Sequence, residues 1–238
     1  DEDAATEFTR LHENGFVLEC NTAAEVEAVL GEKPILSKIG IVKKKRNGKV
    51  KSRLVVDTKE SGVTAATRKF ERSQLPRSLD VAYDVMDLMA AAIRLGLNPE
   101  EIEFLIADFK DAFFLVPNHP SERRYFCVEF GGKVFVMLRT TQGSRGAPLT
   151  WARLAALITR LTMSVIGITH NLISTYVDDP IIVAIGTRTQ RRRAFATVLL
   201  LWCALQLPLS FSKATIGADV TWTSAEFSPS RSLLTVRV

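Results

Sequence analysis

The sequence is short of the side chains from which many catalytic and metal centres are built. Its 238 residues hold three cysteines, Cys20, Cys127 and Cys203, far apart and odd in number. No Cys-x-x-Cys pair occurs, which argues against a disulfide framework or a thiolate zinc site and makes a reducing, intracellular setting the default. His12, His119 and His170 are equally dispersed, so a histidine metal site or a nucleophile–histidine triad has little to draw on. No secretory leader is expected from these residues, because the first of them are acidic and lack an apolar core segment. Long apolar runs are scarce. Ala194–Leu207 is shorter than the ~20 residues of a spanning helix and is interrupted by Gln206 and Pro208; the longer Trp151–Ile168 carries Arg153 and Arg160. No membrane partner is expected.

What is present is an ordinary globular balance, 47% hydrophobic and 24% charged, which excludes a disordered chain. At ~100–200 residues per domain the length fits one large domain or two joined lobes. The net charge of +5 conceals a split: residues 1–32 hold nine acids and one base, leaving +13 on the remainder. A basic body suits a polyanionic partner. Between Lys33 and Arg53 stand nine Lys or Arg and no acid, and Asn47-Gly48 separates two β-rich runs within 38–58. Both residues tolerate positive φ, so a basic hairpin is predicted; it serves either phosphate contact or plain solvation.

Elsewhere the pattern alternates between periods. The first 30 residues read as acidic helical or irregular segments, with Asn21-Thr22 capping a helix over Ala23–Leu30. Residues 59–78 are polar and irregular. Apolar spacings of three and four predict a helix over Leu79–Leu95 closed by Gly96, and Ile102–Ala107 reads as a buried strand. Gly131-Gly132 joins Tyr125–Phe130 to Val134–Leu138 as a hairpin. Helices over Ala147–Ile166 and Thr189–Leu205 flank strands Leu172–Val177 and Ile181–Ile185; Val220–Phe227 and Leu233–Val238 form a last hairpin. There is no βαβ rhythm of equal units, which favours an α+β fold with a mainly antiparallel sheet flanked by helices.

Three acids stand out. Asp108 ends an apolar strand, and Asp178-Asp179 occupies a tight turn between two others. If those strands are neighbours, the carboxylates meet at one sheet edge, where they repel unless a cation sits among them. Hard oxygen ligands of this kind suit Mg²⁺, and a two-ion site can serve an in-line displacement. Any one Asp at a strand end or in a turn is more simply explained by turn chemistry; the Asp-Asp turn between two apolar strands is less easily dismissed.

The words around these acids go further. Asp108-Phe109-Lys110-Asp111-Ala112-Phe113-Phe114, then Gln142-Gly143 with Ala147-Pro148, then Tyr176-Val177-Asp178-Asp179, resemble in order and spacing the palm of a reverse transcriptase. Upstream, Lys51-Ser52-Arg53-Leu54-Val55-Val56-Asp57 is similar to that family's fingers strand. Downstream, Phe211-Ser212-Lys213 and the segment from Val220 to Phe227 are similar to its later palm motifs and primer-grip hairpin. The resemblance covers roughly residues 34–238 and is nearest to retrotransposon and pararetrovirus-like enzymes. It leaves the acidic segment over 1–32 outside and implies a polymerase domain over 33–238, with β-rich fingers over about 33–78 and the palm over about 79–238. A thumb and a ribonuclease H segment are expected to be absent, as in a piece of a longer polyprotein.

The resemblance also implies roles. Asp108, Asp178 and Asp179 would be the catalytic acids, holding two Mg²⁺ ions (Mn²⁺ as a substitute) together with the carbonyl of Phe109. Lys51 and Arg53 would reach the triphosphate, Arg through its planar fork. Phe113 would exclude a 2′-hydroxyl, Gln142 and Gly143 would lie beside nucleotide and template, and Lys213 near the leaving pyrophosphate. Trp222 would belong to the primer grip, although a core role suits a lone Trp and Phe114 as well. The partners implied are an RNA or DNA template with primer, and deoxynucleoside triphosphates. Thr141 stands where the family usually has Pro, Ser224 where Gly is common, and Pro180 follows the acid pair. The activity implied is RNA-directed DNA polymerisation. An inactive nucleic-acid-binding fragment of a retroelement polyprotein is the alternative, and an RNA-templated RNA polymerase is a third reading against which Phe113 speaks.

Overall fold

The computed structural model describes residues 2–46, 49–68, 70–98, 101–230 and 233–237, without the side chains of 46, 49 and 51. The chain divides into two compact units, 1–72 with 112–151, and 73–111 with 152–238. This division crosses the chain three times, so it differs from the linear cut expected near residue 78, and residues 1–32 are part of the first unit.

In the first unit, α1 (Glu2–Glu13) leads into β1 (Val17–Cys20) and α2 (Ala23–Leu30). Thr22 caps α2 as expected: its Oγ1 accepts from the Glu25 N–H at 3.2 Å while the Glu25 carboxylate accepts from the Asn21 N–H at 2.7 Å. β2 (Leu36–Arg46) and β3 (Lys49–Asp57) form the expected antiparallel pair, with the turn residues Asn47-Gly48 outside the described residues. The irregular stretch that follows holds one short helical turn, α3 (Val63–Ala66). The five-stranded sheet, completed by β5 (Cys127–Phe130) and β6 (Lys133–Met137), runs β1-β6-β5-β2-β3. Its β2–β5 pair is parallel and the others antiparallel. The β5–β6 turn is Gly131-Gly132 at φ 60 and 76, the left-handed pair such a two-residue turn needs. Phe8 and Leu11 of α1 are buried against Leu54, Val56, Phe135 and Met137, and Phe8 stacks on Phe135 at 4.1 Å. The acidic N-terminal segment is therefore core-forming. β1, four residues long, was not foreseen by the sequence pattern.

The second unit is built on α4 (Ser78–Arg94), β4 (Ile102–Ile106), the C-terminal part of α5 (Ala147–Ile166), β7 (Asn171–Tyr176), β8 (Asp179–Ile185), α6 (Arg188–Ala204) and β9 (Thr215–Gly217). The antiparallel sheet runs β7-β8-β4-β9. Alternation along β8 sends Ile181, Val183 and Ile185 into the core that α4 closes, while α6 packs on the strand as well. Burial of both sets explains why Ile181–Ile185 is apolar without interruption. α4 ends as Gly96 predicts: at φ 71 it lets its own N–H reach Ile93 O and the Leu97 N–H reach Ala92 O, both within 3.0 Å. α5 has the length and hydropathy of a membrane span. It is nonetheless tied into the fold by Trp202 Nε1–H donating to Thr162 Oγ1 (2.9 Å) and by a Thr159–Thr175 hydroxyl pair (3.0 Å).

One expected strand is two. Val220–Phe227 folds back on itself as β10 (Val220–Trp222) and β11 (Ala225–Ser230), which β12 (Leu233–Arg237) extends into a three-stranded sheet. The turn is Thr223-Ser224 at φ 47 and 70, so two non-glycine residues adopt left-handed backbone. The α+β class stands as expected, with an antiparallel sheet in the second unit and a mixed one in the first.

Candidate active site

β4 is an inner strand, and the chain leaving it carries Asp108 into a position fixed from both sides. On one side the Ala107 N–H donates to Pro180 O (3.1 Å) and the Phe109 N–H to Asp178 O (2.8 Å). On the other the Lys110 N–H donates to Pro208 O (2.8 Å) and the Ser210 N–H to Asp108 O (2.9 Å), around a Phe109–Leu209 bridge. The sheet thus brings Asp108 beside Asp178 and Asp179, although seventy residues of sequence separate them. The Asp108 side chain is 11% exposed and forms an ion pair with Lys213, whose side chain is 47% exposed. The Phe109 ring is buried against Trp202 at 4.9 Å, so only its backbone is available to a ligand.

Tyr176 pairs with Asp179, which leaves Val177-Asp178 as a two-residue turn. Val177 has φ 53. A β-branched residue there is a genuine outlier and stores about 1–3 kcal/mol of strain, sustained only where neighbours hold the backbone. The neighbours are the Phe109 N–H on Asp178 O and the Trp222 Nε1–H on Asp179 O, at 2.8 and 2.9 Å. Trp222 is 2% exposed and lies edge-on to Tyr176. It is a core residue that also grips the acid-bearing turn, a role its sequence position did not signal. Ser224, where the resemblance expects Gly, lies two residues further on at φ 70.

The remaining sequence-predicted residues lie in the first unit. Arg53 is exposed on β3 opposite Val42, and Lys51 pairs by backbone with Lys44, its side chain lying outside the described atoms. Phe113 is half-buried in a short 3₁₀ turn, whereas Phe114 is a core residue stacked on Phe16 at 5.3 Å. Gln142 is half-buried and its carbonyl accepts from the Val56 N–H at 3.0 Å. Gly143 has φ 99, and a Cβ there would lie 2.2 Å from Val56 O. Close approach to β3 thus requires glycine on its own account. Thr141, in the usual proline position, is 1% exposed with no partner for its Oγ1 among the described residues.

The donor set can be tested against a divalent cation. Among the described residues no three His, Cys, Asp or Glu side chains converge enough to hold a metal unaided. An all-protein cage is therefore not what the edge offers. Two neighbouring aspartates and nearby backbone oxygens do fit an ion that keeps its waters and takes further oxygens from a substrate phosphate, as Mg²⁺ does.

No family model and no curated protein sequence matches the chain. A solved structure does. The foamy viral protease–reverse transcriptase in complex with double-stranded DNA superposes with a TM-score of 0.65 at 18% identity, over 92% of this chain. The chain spans 32% of that protein's length. At this identity the likeness is one of fold alone, and it agrees with the α+β architecture expected from the sequence.

Proposed function

We propose that the chain is the fingers and palm of an RNA-directed DNA polymerase, which adds deoxynucleotides to a primer 3′-hydroxyl. The observation that carries this reading is the sheet edge at which Asp108 and the strained Val177-Asp178 turn are locked together by the Phe109–Asp178 hydrogen bond. Structural carboxylates do not need such placement; carboxylates that must stay close despite repulsion do. Asp108 and Asp178 hold Mg²⁺ or Mn²⁺, with Asp179 and the Phe109 carbonyl as further oxygens. When bound, the metal supplies charge neutralisation at the attacking and leaving oxygens.

The other roles are those the resemblance implies. Arg53 and Lys51 bind triphosphate oxygens, Lys213 serves the departing pyrophosphate, and Phe113 closes the space a 2′-hydroxyl needs. Gln142 and Gly143 position nucleotide and template. Trp222 acts through the turn it grips. Positioning and charge stabilisation are the protein's whole contribution to phosphoryl transfer. Sequence choice belongs to template pairing, and the protein holds nucleic acid by its backbone, with salt-sensitive affinity. The DNA complex of the foamy viral neighbour supports a nucleic-acid partner.

An inactive nucleic-acid-binding fragment is the second reading, favoured by the Asp108–Lys213 pair and the absence of a three-acid cluster among the described residues. Primer extension on an RNA template with deoxynucleotides and Mg²⁺ or Mn²⁺ separates the two. Extension that disappears in the Asp178→Asn, Asp179→Asn chain supports the polymerase. Extension unaffected by that change, or none in either chain, overturns it.

A further inference from the structure

Lys213 makes an ion pair that the proposed chemistry does not call for. A carboxylate 11% exposed at the end of an apolar strand is costly to leave uncompensated. Its compensation here is built into the backbone. Residues 208–210 run beside 108–110 through the two hydrogen bonds and the bridge described above, and the Lys213 N–H on Ser210 O (2.9 Å) closes a 3₁₀ turn that returns the ammonium to Asp108 Oδ2. The oxygen so occupied is one that a divalent cation needs. A flexible four-carbon lysine stem, half in solvent, can also leave.

We propose that Lys213 is a stand-in cation: in the metal-free chain its ammonium holds the metal position on Asp108, and a divalent ion enters only by displacing it. This deepens the polymerase reading and rests on Asp108 being a metal ligand. The contact offsets the charge of Asp108 and holds it in place before substrate arrives. It also couples two events, because any phosphate that draws Lys213 away vacates Asp108 for metal, and the coupling is reciprocal.

The test is Mn²⁺ binding to the whole chain without nucleotide, read from the loss of free-ion signal in electron paramagnetic resonance. Lys213→Met and Lys213→Gln should both bind about tenfold more tightly than wild type, within the usual range of such couplings. Lys110→Met removes a nearby exposed charge that does not hold Asp108 in this way, and should change affinity less than about twofold. Equal gains in the Lys110 and Lys213 chains would reduce the effect to net charge and overturn the proposal. So would unchanged affinity in the Lys213 chains while Asp108→Asn still weakens binding, an outcome that leaves the metal reading standing. If Asp108→Asn has no effect in the Lys213→Met background, the metal reading itself fails. Melting temperature gives a second readout. Lys213→Met should melt lower than wild type in chelator, and Mn²⁺ should raise its midpoint more than the wild-type midpoint; equal shifts in both contradict displacement.

Discussion

The two units divide the charge unequally. The first holds 19 Lys or Arg against 14 Asp or Glu, while the second is balanced at 12 and 12. All of the formal excess of +5 therefore lies in the unit with the basic hairpin, and the acids assigned to chemistry lie in the neutral one. The contrast in sequence between an acidic start and a basic body is not the contrast the fold makes. α1 and its neighbours join the first unit, where Asp3 pairs with Lys43, Glu19 with Lys133 and Glu32 with Arg124. The acidic segment offsets part of its own unit's basic field. Lys43 beside Asp3 holds that carboxyl below its ordinary range. The lesson is a separation of features, with the excess positive charge in one unit and the aspartate-bearing sheet edge in the other.

That separation can be broken at specific places. Gly143→Ala in the first unit should have the largest effect, about 3 kcal/mol of lost stability in urea unfolding, because the new Cβ meets the Val56 carbonyl and the φ of 99 disfavours it. In the second unit Trp222→Phe removes the N–H on Asp179 O and leaves a gap in the core, at about 2 kcal/mol. Its extension rate should fall by more than its primer–template affinity, since the strained turn loses a support. Lys44→Glu with Lys45→Glu, both exposed on β2, should weaken primer–template binding about tenfold and flatten its salt dependence by about two. The smallest effect is one of pH. Burial pushes the Cys127 thiol up to about 12 from 9.0, so the folded chain keeps a proton that the unfolded chain releases. Stability should begin to fall near pH 8, keep falling towards pH 12, and be unaffected below that window. Relative to Cys127→Ala the loss is about 0.4 kcal/mol at pH 9, readable from paired unfolding curves.

Much of this was legible. α5 begins and ends where its apolar spacing places it, and glycine marks the β5–β6 turn and the end of α4. These features are local, and local chemistry is what sequence displays. The sequence brings Asp108, Asp178 and Asp179 to one sheet edge on the condition that their strands are neighbours, and β4 and β8 do pair. What was hidden is either too short or too distant. β1 has four residues, too few for a period to show. Thr223-Ser224 turns without glycine, so no residue type announces the break between β10 and β11. The division into units depends on contacts between segments far apart in the chain, as do the Lys213–Asp108 pair and the Trp222 hydrogen bond. Nothing in local composition marks them.

The measurement that bears most directly on the division of labour takes primer–template affinity and single-turnover extension from the same samples of wild type and of Asp178→Asn, Asp179→Asn. The acid edge should prove to be chemistry without grip: affinity within about threefold of wild type, and extension at least about 100-fold slower, as for loss of a group that acts on the transition state. Extension at the wild-type rate, or affinity and extension falling together, would contradict it.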